Sequence, residues 1–441
     1  MGAVMTTAAS TEAFTSAIEA VKSAPAPELL RDLRAAGRRR FESLGLPTRR
    51  QEAWRLTRLG SFDDMTFNPP AGGSVRSDVS RWRREDSHSL VFVDGIYSPD
   101  DSHRGKLPDG VVVSNLVLGS AVDSELLSGH LDKATLVGTH SFASLNTALL
   151  ADGAVIHLPD NVVVEKPIQL IFVPGASTEP TVRAPRVLIV AESGSRAVVE
   201  EHHVGEGGVS LSCPVTEIVL GERSTLDHVV VQREGSDTSL LATRSVRLAE
   251  ASRYRAQTIS LGGGLSRHDI RVELEGSNAE ASLDGLYLTD ERQQAETHLT
   301  MRHRVPDCQS HQLYKGVLGG KSRAAFTGRI IVDQDAQRTD ATQSNRNLLL
   351  SDDATANSNP QLEIFADDVR CTHGSTVGRL DDEAVFYLRS RGIGLEVARR
   401  LLTVAFAGEI LERVGDETLR EDLRSEVEAR LDAMAASGTS S

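Results

Sequence analysis

Two side chains in the last fifth of the chain have the types and spacing to bind a metal. Cys371 and His373 flank Thr372 in the stretch N-P-Q-L-E-I-F-A-D-D-V-R-C-T-H-G, Asn359 to Gly374. On an extended chain residues i and i+2 share a face, so thiol and imidazole point the same way. A thiolate beside an imidazole suits an iron–sulfur cluster, zinc or copper. The same spacing also describes a buried cysteine beside a hydrogen-bonded histidine at a strand end. Asp381, Asp382 and Glu383 then favour the first turn of a helix. The chain is expected to leave a β-core for helices just after His373.

Other motifs are read as structural. Gly319-Gly320-Lys321-Ser322 lacks the earlier glycine of a phosphate loop, position 315 being Lys, and reads as a β-turn. No nucleotide is therefore expected on this chain. Gly262-Gly263-Gly264 reads as a turn, because no helical pattern follows it. His202, His203, His298 and His303 form no close Cys/His set of the kind that holds zinc, and H-E-x-x-H is absent. There is no G-x-S-x-G elbow. Arg370, Arg389, Arg391 and Arg399 read as a solvated surface.

The elements that must position Cys371 and His373 follow from the pattern upstream. Short β-branched runs, such as Val187–Val190, Val215–Leu220 and Leu226–Val231, are separated by turn clusters about 13 to 17 residues apart, longer than the 8–12 of a sandwich. No helical period lies between them, which excludes βαβ units. Two architectures remain: a parallel β-helix with two strands per rung, or a large antiparallel sandwich. Helices precede this region, with Phe14, Ile18 and Val21 in one and Leu29, Leu30 and Leu33 in the next, broken at Pro25-Ala26-Pro27. A basic turn from Leu46 to Arg55 leads into Trp54, and Leu90–Tyr97 reads as a hairpin at a sheet edge. After Asp381 come helices. Leu395, Ala398, Leu402, Ala405 and Ile410 form one stripe; Val397, Leu401, Val404 and Leu411 form a second. So wide an apolar face serves the core alone or the core and a partner. A last helix carries Leu419, Leu423, Val427 and Leu431, and the tail after Ala433 is expected to be disordered. The resulting division is 1–135 helical and mixed, 136–373 β-core, 374–441 helical.

Composition narrows function. The chain has 441 residues and a formal net charge of −14, which argues against phosphate-driven nucleic-acid binding. No run of 18 apolar residues spans a membrane, and the N-terminus lacks the pattern of a secretory signal. Cys213, Cys308 and Cys371 are too few and too far apart for a disulfide framework, so a cytoplasmic location is expected. With 4% aromatics and no paired-carboxylate motif, a β-helix enzyme acting on polysaccharide is disfavoured.

Several ordered segments resemble the SufB/SufD family of iron–sulfur cluster assembly scaffolds. They include L-P-T-R-R-Q-E-A-W-R at 46–55, F-V-D-G-I-Y-S-P-D at 92–100, L-N-T-A-L-L-A-D-G-A at 145–154, G-G-G-L-S-R-H-D-I at 262–270 and S-H-Q-L-Y-K-G-V-L at 310–318. A-P-R-V-L-I-V, F-T-G-R-I-I-V and A-Q-R-T-D-A add to the set, and Leu56 departs from it where an aromatic is expected. C-T-H-G followed by a helix resembles the SufD side of the family; a SufB-type chain that itself receives sulfur is the alternative. The resemblance implies a right-handed parallel β-helix between helical ends. It implies a non-enzymatic scaffold that pairs with SufB through the β-helix end, near Asn359 and Pro360, and docks the ATPase SufC with its C-terminal helices, near Leu395, Leu402 and Phe406. It carries the role of ligand to a nascent cluster onto His373 and, more weakly, Cys371, the cluster being shared with SufB because a lone Cys and His cannot complete it. Alone, the chain is expected to form a weak homodimer through the same end.

Overall fold

The computed structural model describes residues 11–438, except 58, 60, 61, 63, 64, 70–78, 123, 135–138, 178, 206 and 207. Its centre is a parallel β-solenoid. Each turn contributes one strand to each of two facing sheets; among the described residues eight parallel strands stack in one and, counting His88–Val93, nine in the other. Partners in adjacent turns lie from 26 residues apart (Ser239 and Leu265) to 33 apart (Ala154 and Val187), which is twice the turn interval of the sequence. The antiparallel sandwich is thereby excluded.

One corner of the coil recurs in a fixed form. Gly194, Arg223, Ala251, Asn278, Asp307 and Arg338 all have positive φ, and each sits two residues before a strand of the same sheet. That conformation costs a non-glycine residue about 1–2 kcal/mol. Part of the compensation is visible: the amides of Gly194, Arg223 and Ala251 donate to Glu222, Glu250 and Ser277 carbonyls of the next turn, at 2.8–2.9 Å. The corner therefore fixes register from rung to rung, which is what stacks side chains into straight columns.

The interior is apolar along most of its width. Ile156, Ile189, Ile218, Val246, Val272, Met301 and Ile330 form one continuous cluster with Leu170, Val199 and Leu283 of the facing sheet. Phe326 and Tyr314 meet across it, ring centroids 5.0 Å apart. Polar residues share that interior: Glu201 receives His228 at 2.9 Å, and His303 contacts Ser310 at 2.9 Å.

The two ends differ. At the start, the strand His88–Val93 joins the first rung in parallel and is closed by its antiparallel hairpin partner Ile96–His103, while Val112–Asn115 caps the other sheet antiparallel. These strands fall inside the segment set apart above as 1–135, and the Leu90–Tyr97 hairpin does lie at a sheet edge. Helices Thr15–Ser23 and Glu28–Leu44 pack around Phe14 and Phe41 against Phe142, Val182, Leu211 and Leu241. Trp54 lies under the Arg267 guanidinium, 3.7 Å from ring centroid to Cζ, and Arg267 pairs with Asp269 and Glu296 at 2.8 and 2.9 Å, riveting the basic turn to the solenoid.

At the far end three helices, Asp382–Ser390, Leu395–Leu411 and Glu417–Gly438, turn back along the side of one sheet. Ala407, Ile410, Leu411, Leu419, Leu423, Val427 and Leu431 bury against Val229, Val231, Ile259, Leu286, Leu288 and Val317. The terminal helix continues to Gly438 rather than ending at Ala433: Asp432 pairs with Arg400 at 2.5 Å, and Met434 still packs on the cluster. No helix among the described residues is long and apolar enough to cross a membrane.

Candidate functional site

The last rung consists of two strands, Thr355–Ile364 and Arg370–Gly378, each at the end of its sheet. Their outer edges have no strand partner among the described residues, so a row of backbone donors and acceptors stands open. The second strand runs on to Gly378. The chain leaves the β-core after Gly378, not just after His373 as the sequence suggests: Gly374 to Gly378 stay paired with Ser344 to Leu348 in the ladder.

Register decides which way its side chains face. Cys371 lies beside Ala341, His373 beside Gln343, Ser375 beside Asn345 and Val377 beside Asn347. Ala341, Gln343, Asn345 and Asn347 are buried and alternate with more exposed neighbours, so this set points into the solenoid. Cys371 and His373 share the inward face, as i and i+2 spacing requires. Cys371 is half-buried and packs on the central core, whereas His373 is exposed because no further rung covers it. Burial, with Asp340 nearby, pushes the Cys371 thiol up, so in the isolated chain it is held as a thiol. On the facing strand Asn359 is exposed and Pro360 half-buried. Proline's missing N–H is tolerated on an edge strand.

The other cysteines sit elsewhere. Cys213 is fully buried, its Sγ 3.3 Å from the Arg183 carbonyl, and burial pushes it up to about 12. Cys308 is buried at a rung corner and pushed up to about 11 by the same cause. His202 and His298 pair with Glu200 and Glu296 at 3.1 and 3.5 Å. Among the described residues no group of three or more His, Cys, Asp or Glu is placed to hold a metal ion. The Gly319–Ser322 stretch forms the turn between strands Gln309–Leu318 and Arg323–Val332, and Gly262–Gly264 the turn before strand Leu265–Leu274.

A second surface lies on the returning helices. Asp381 caps the first, its carboxylate accepting from the Glu383 amide at 2.9 Å. Ion pairs fasten the long and terminal helices to the solenoid: Lys315 to Glu409, Arg413 to Asp284 at 3.0 Å, and Arg233 to Glu426 at 2.5 Å. Phe406 is committed to that contact, with the Lys315 ammonium 4.3 Å from its ring centroid. Facing out are Phe386 at 72% exposure, Tyr387 at 57%, Val397 at 54% and Leu401 at 43%. With Leu395 and Val385, Phe386 and Val397 line a groove of 860 Å³. Of the two apolar stripes, the first supplies the core with Ala398 and Ile410, while the second divides: Leu411 is buried and Val404 packs on the core, whereas Val397 and Leu401 are exposed. Phe386 and Tyr387 escaped the sequence reading because one exposed aromatic pair on a short helix shows no periodicity.

Comparison with known proteins follows the fold along its length. The family description "SUF system FeS cluster assembly, SufBD core domain" matches residues 173–406, and "SufBD protein N-terminal region" matches residues 6–170. A SufBD family iron–sulfur cluster assembly protein of Synechocystis is 34% identical over 405 residues, 88% of each chain. The iron–sulfur cluster assembly protein SufD of Escherichia coli is 31% identical over 397 residues, 88% of this chain and 90% of its own. SufD of Bacillus subtilis is 26% identical over 332 residues, 73% of this chain and 74% of its own.

Proposed function

The chain belongs to the SufBD family of iron–sulfur cluster assembly proteins, and within that family we propose that it acts as a SufD-type scaffold subunit. In this reading it pairs with SufB through the open rung and docks SufC with the returning helices. The observation that carries it is the solenoid end: two strands with unpaired edges hold Cys371 and His373 on one face, the imidazole uncovered. A paralogue laid on that edge adds the missing rung and the missing ligands together. The neutral imidazole binds iron; Cys371 assists once the incoming metal lowers its pKa.

The thiols favour the SufD role over a SufB-type role. A sulfur acceptor works as an accessible thiolate. Here Cys213 and Cys308 are buried, and all three thiols are pushed upward. The chain is a scaffold in this reading, hydrolysis of ATP belonging to SufC, and the cluster is transient cargo assembled in the cytoplasm.

His373→Ala tests it. The side chain is exposed, so the solenoid and the complex remain intact. Iron and acid-labile sulfide in the purified complex fall sharply, and Cys371→Ser has the smaller effect. A correctly assembled His373→Ala complex with normal cluster content refutes the ligand role.

A further inference from the structure

A histidine that binds metal through one ring nitrogen donates its other N–H to a fixed acceptor, which sets tautomer and ring direction. The His373 ring has no hydrogen-bond partner among the described residues. One rung back, in register with it, stands Gln343, whose side chain is buried at 3% exposure. Adjacent strands lie about 4.8 Å apart, so the two side chains are within reach of each other.

The Gln343 carboxamide is held in one orientation. Its Nε2 donates to Gln312 Oε1, in the same column one rung further in, at 2.7 Å. The facing strand holds it too. A Cβ on Gly328 would lie 2.2 Å from Gln343 Nε2 and 2.6 Å from its Oε1, so the amide lies flat against a position that only glycine leaves free. With the nitrogen committed inward, Oε1 is left buried and without a partner. A buried acceptor left unmade is costly, and this one sits next to the uncovered last rung.

We propose that Gln343 is a positioning residue for His373: its Oε1 accepts the imidazole N–H and leaves the other ring nitrogen free to bind iron at the interface. The inference rests on the ligand reading of His373 above. Gln312 is the brace that fixes the Gln343 amide, and Gly328 is the space that admits it.

The test separates the two claims. In the isolated full-length chain, long-range proton–nitrogen NMR, assigned by loss of the signal in His373→Ala, reports the neutral tautomer of this ring. Wild type shows one dominant tautomer. Gln343→Leu shows the tautomer mixture of an imidazole with no fixed acceptor. Gln343→Glu keeps the acceptor and the dominant tautomer. In the assembled complex the ferrous ion concentration for half-loading rises about tenfold or more in Gln343→Leu and returns toward wild type in Gln343→Glu. Identical tautomer distributions in folded Gln343→Leu and wild type overturn the proposal. If the leucine variant does not fold, identical tautomer distributions in Gln343→Met and wild type overturn it equally. Normal cluster content in His373→Ala removes the ligand reading instead, and the NMR comparison still decides whether the hydrogen bond exists.

Discussion

Phe386→Gln is expected to separate docking from folding. The ring is 72% exposed on the helix Asp382–Ser390, and a glutamine keeps helix propensity there. An aromatic side chain carries roughly 150–250 Å² of surface, so roughly 150 Å² of this one faces solvent. At about 25 cal/mol per Å², full coverage by a partner contributes about 3–4 kcal/mol, and half coverage about 2. Since about 1.4 kcal/mol is tenfold in affinity, the variant should bind the ATPase subunit about 30-fold more weakly or worse. Removing an exposed ring costs the isolated chain little, so its melting temperature should stay within a few degrees. Leu401→Gln, at 43% exposure, should show a smaller loss. The assay is titration calorimetry of the purified chain against the purified ATPase, with melting curves of each variant. Affinity unchanged within twofold in Phe386→Gln refutes docking on this groove. A large fall in melting temperature refutes the premise that the patch is free in the isolated chain.

Two further outcomes concern stability. Burial holds His303 down to about 4, so the folded state keeps the ring neutral while the unfolded chain takes a proton near pH 6.5. The folded pKa being the lower, this stability is complete above about pH 6.5 and is lost as pH falls toward 4, where the loss reaches about 3 kcal/mol. In urea titrations His303→Gln should flatten that part of the pH profile; an unchanged slope refutes the assignment. Arg267→Met leaves Asp269 and Glu296 buried without their common cation and removes the ring contact to Trp54, at a cost of about 3–5 kcal/mol. Limited proteolysis should then cut first between residues 46 and 57, and resistance equal to wild type counts against the anchoring role.

Much of the fold is legible in the sequence because turn spacing is a local property. Interval and composition of the turns survive stacking, so the two-strand rung could be read without contacts, and the family resemblance then chose the solenoid over the sandwich. Strand lengths were less legible. Leu226–Val231 is the apolar centre of a strand that runs Thr225–Glu234. The missing residues are polar ones, such as Gln232 and Glu234, that are buried, and hydropathy cannot see a polar side chain satisfied by a neighbouring rung. The site was half legible for the same reason. Cys371 and His373 stand out by type and spacing. Gln343 lies 30 residues earlier and is brought beside His373 by the period of the coil alone, and Phe386 gains meaning only when the helix bearing it is seen on the surface.

The asymmetry of the two ends is the physical ground for expecting a partner. A solenoid needs a cap, because its last rung otherwise exposes apolar side chains and an unpaired backbone edge. The N-terminal end is capped by antiparallel strands of the chain itself. The C-terminal end had material for a cap in its three helices, yet these fold back along the flank, held by Val427 and Leu431 in the apolar contact and by the Arg413 and Arg233 ion pairs. Bare on the last rung remain Ile364 at 39% exposure, Phe365 at 63% and Val377 at 46%, and His373 is exposed there too. The column that contains Gln312 and Gln343 reaches His373 in register and stops there. Any chain with a similar rung can continue it, and the closer its period matches, the more of the edge is paired. Under the proposed pairing, a paralogue built on the same coil is expected to outcompete unrelated proteins, and whatever ligands it carries at the matching column would arrive within one strand spacing of His373.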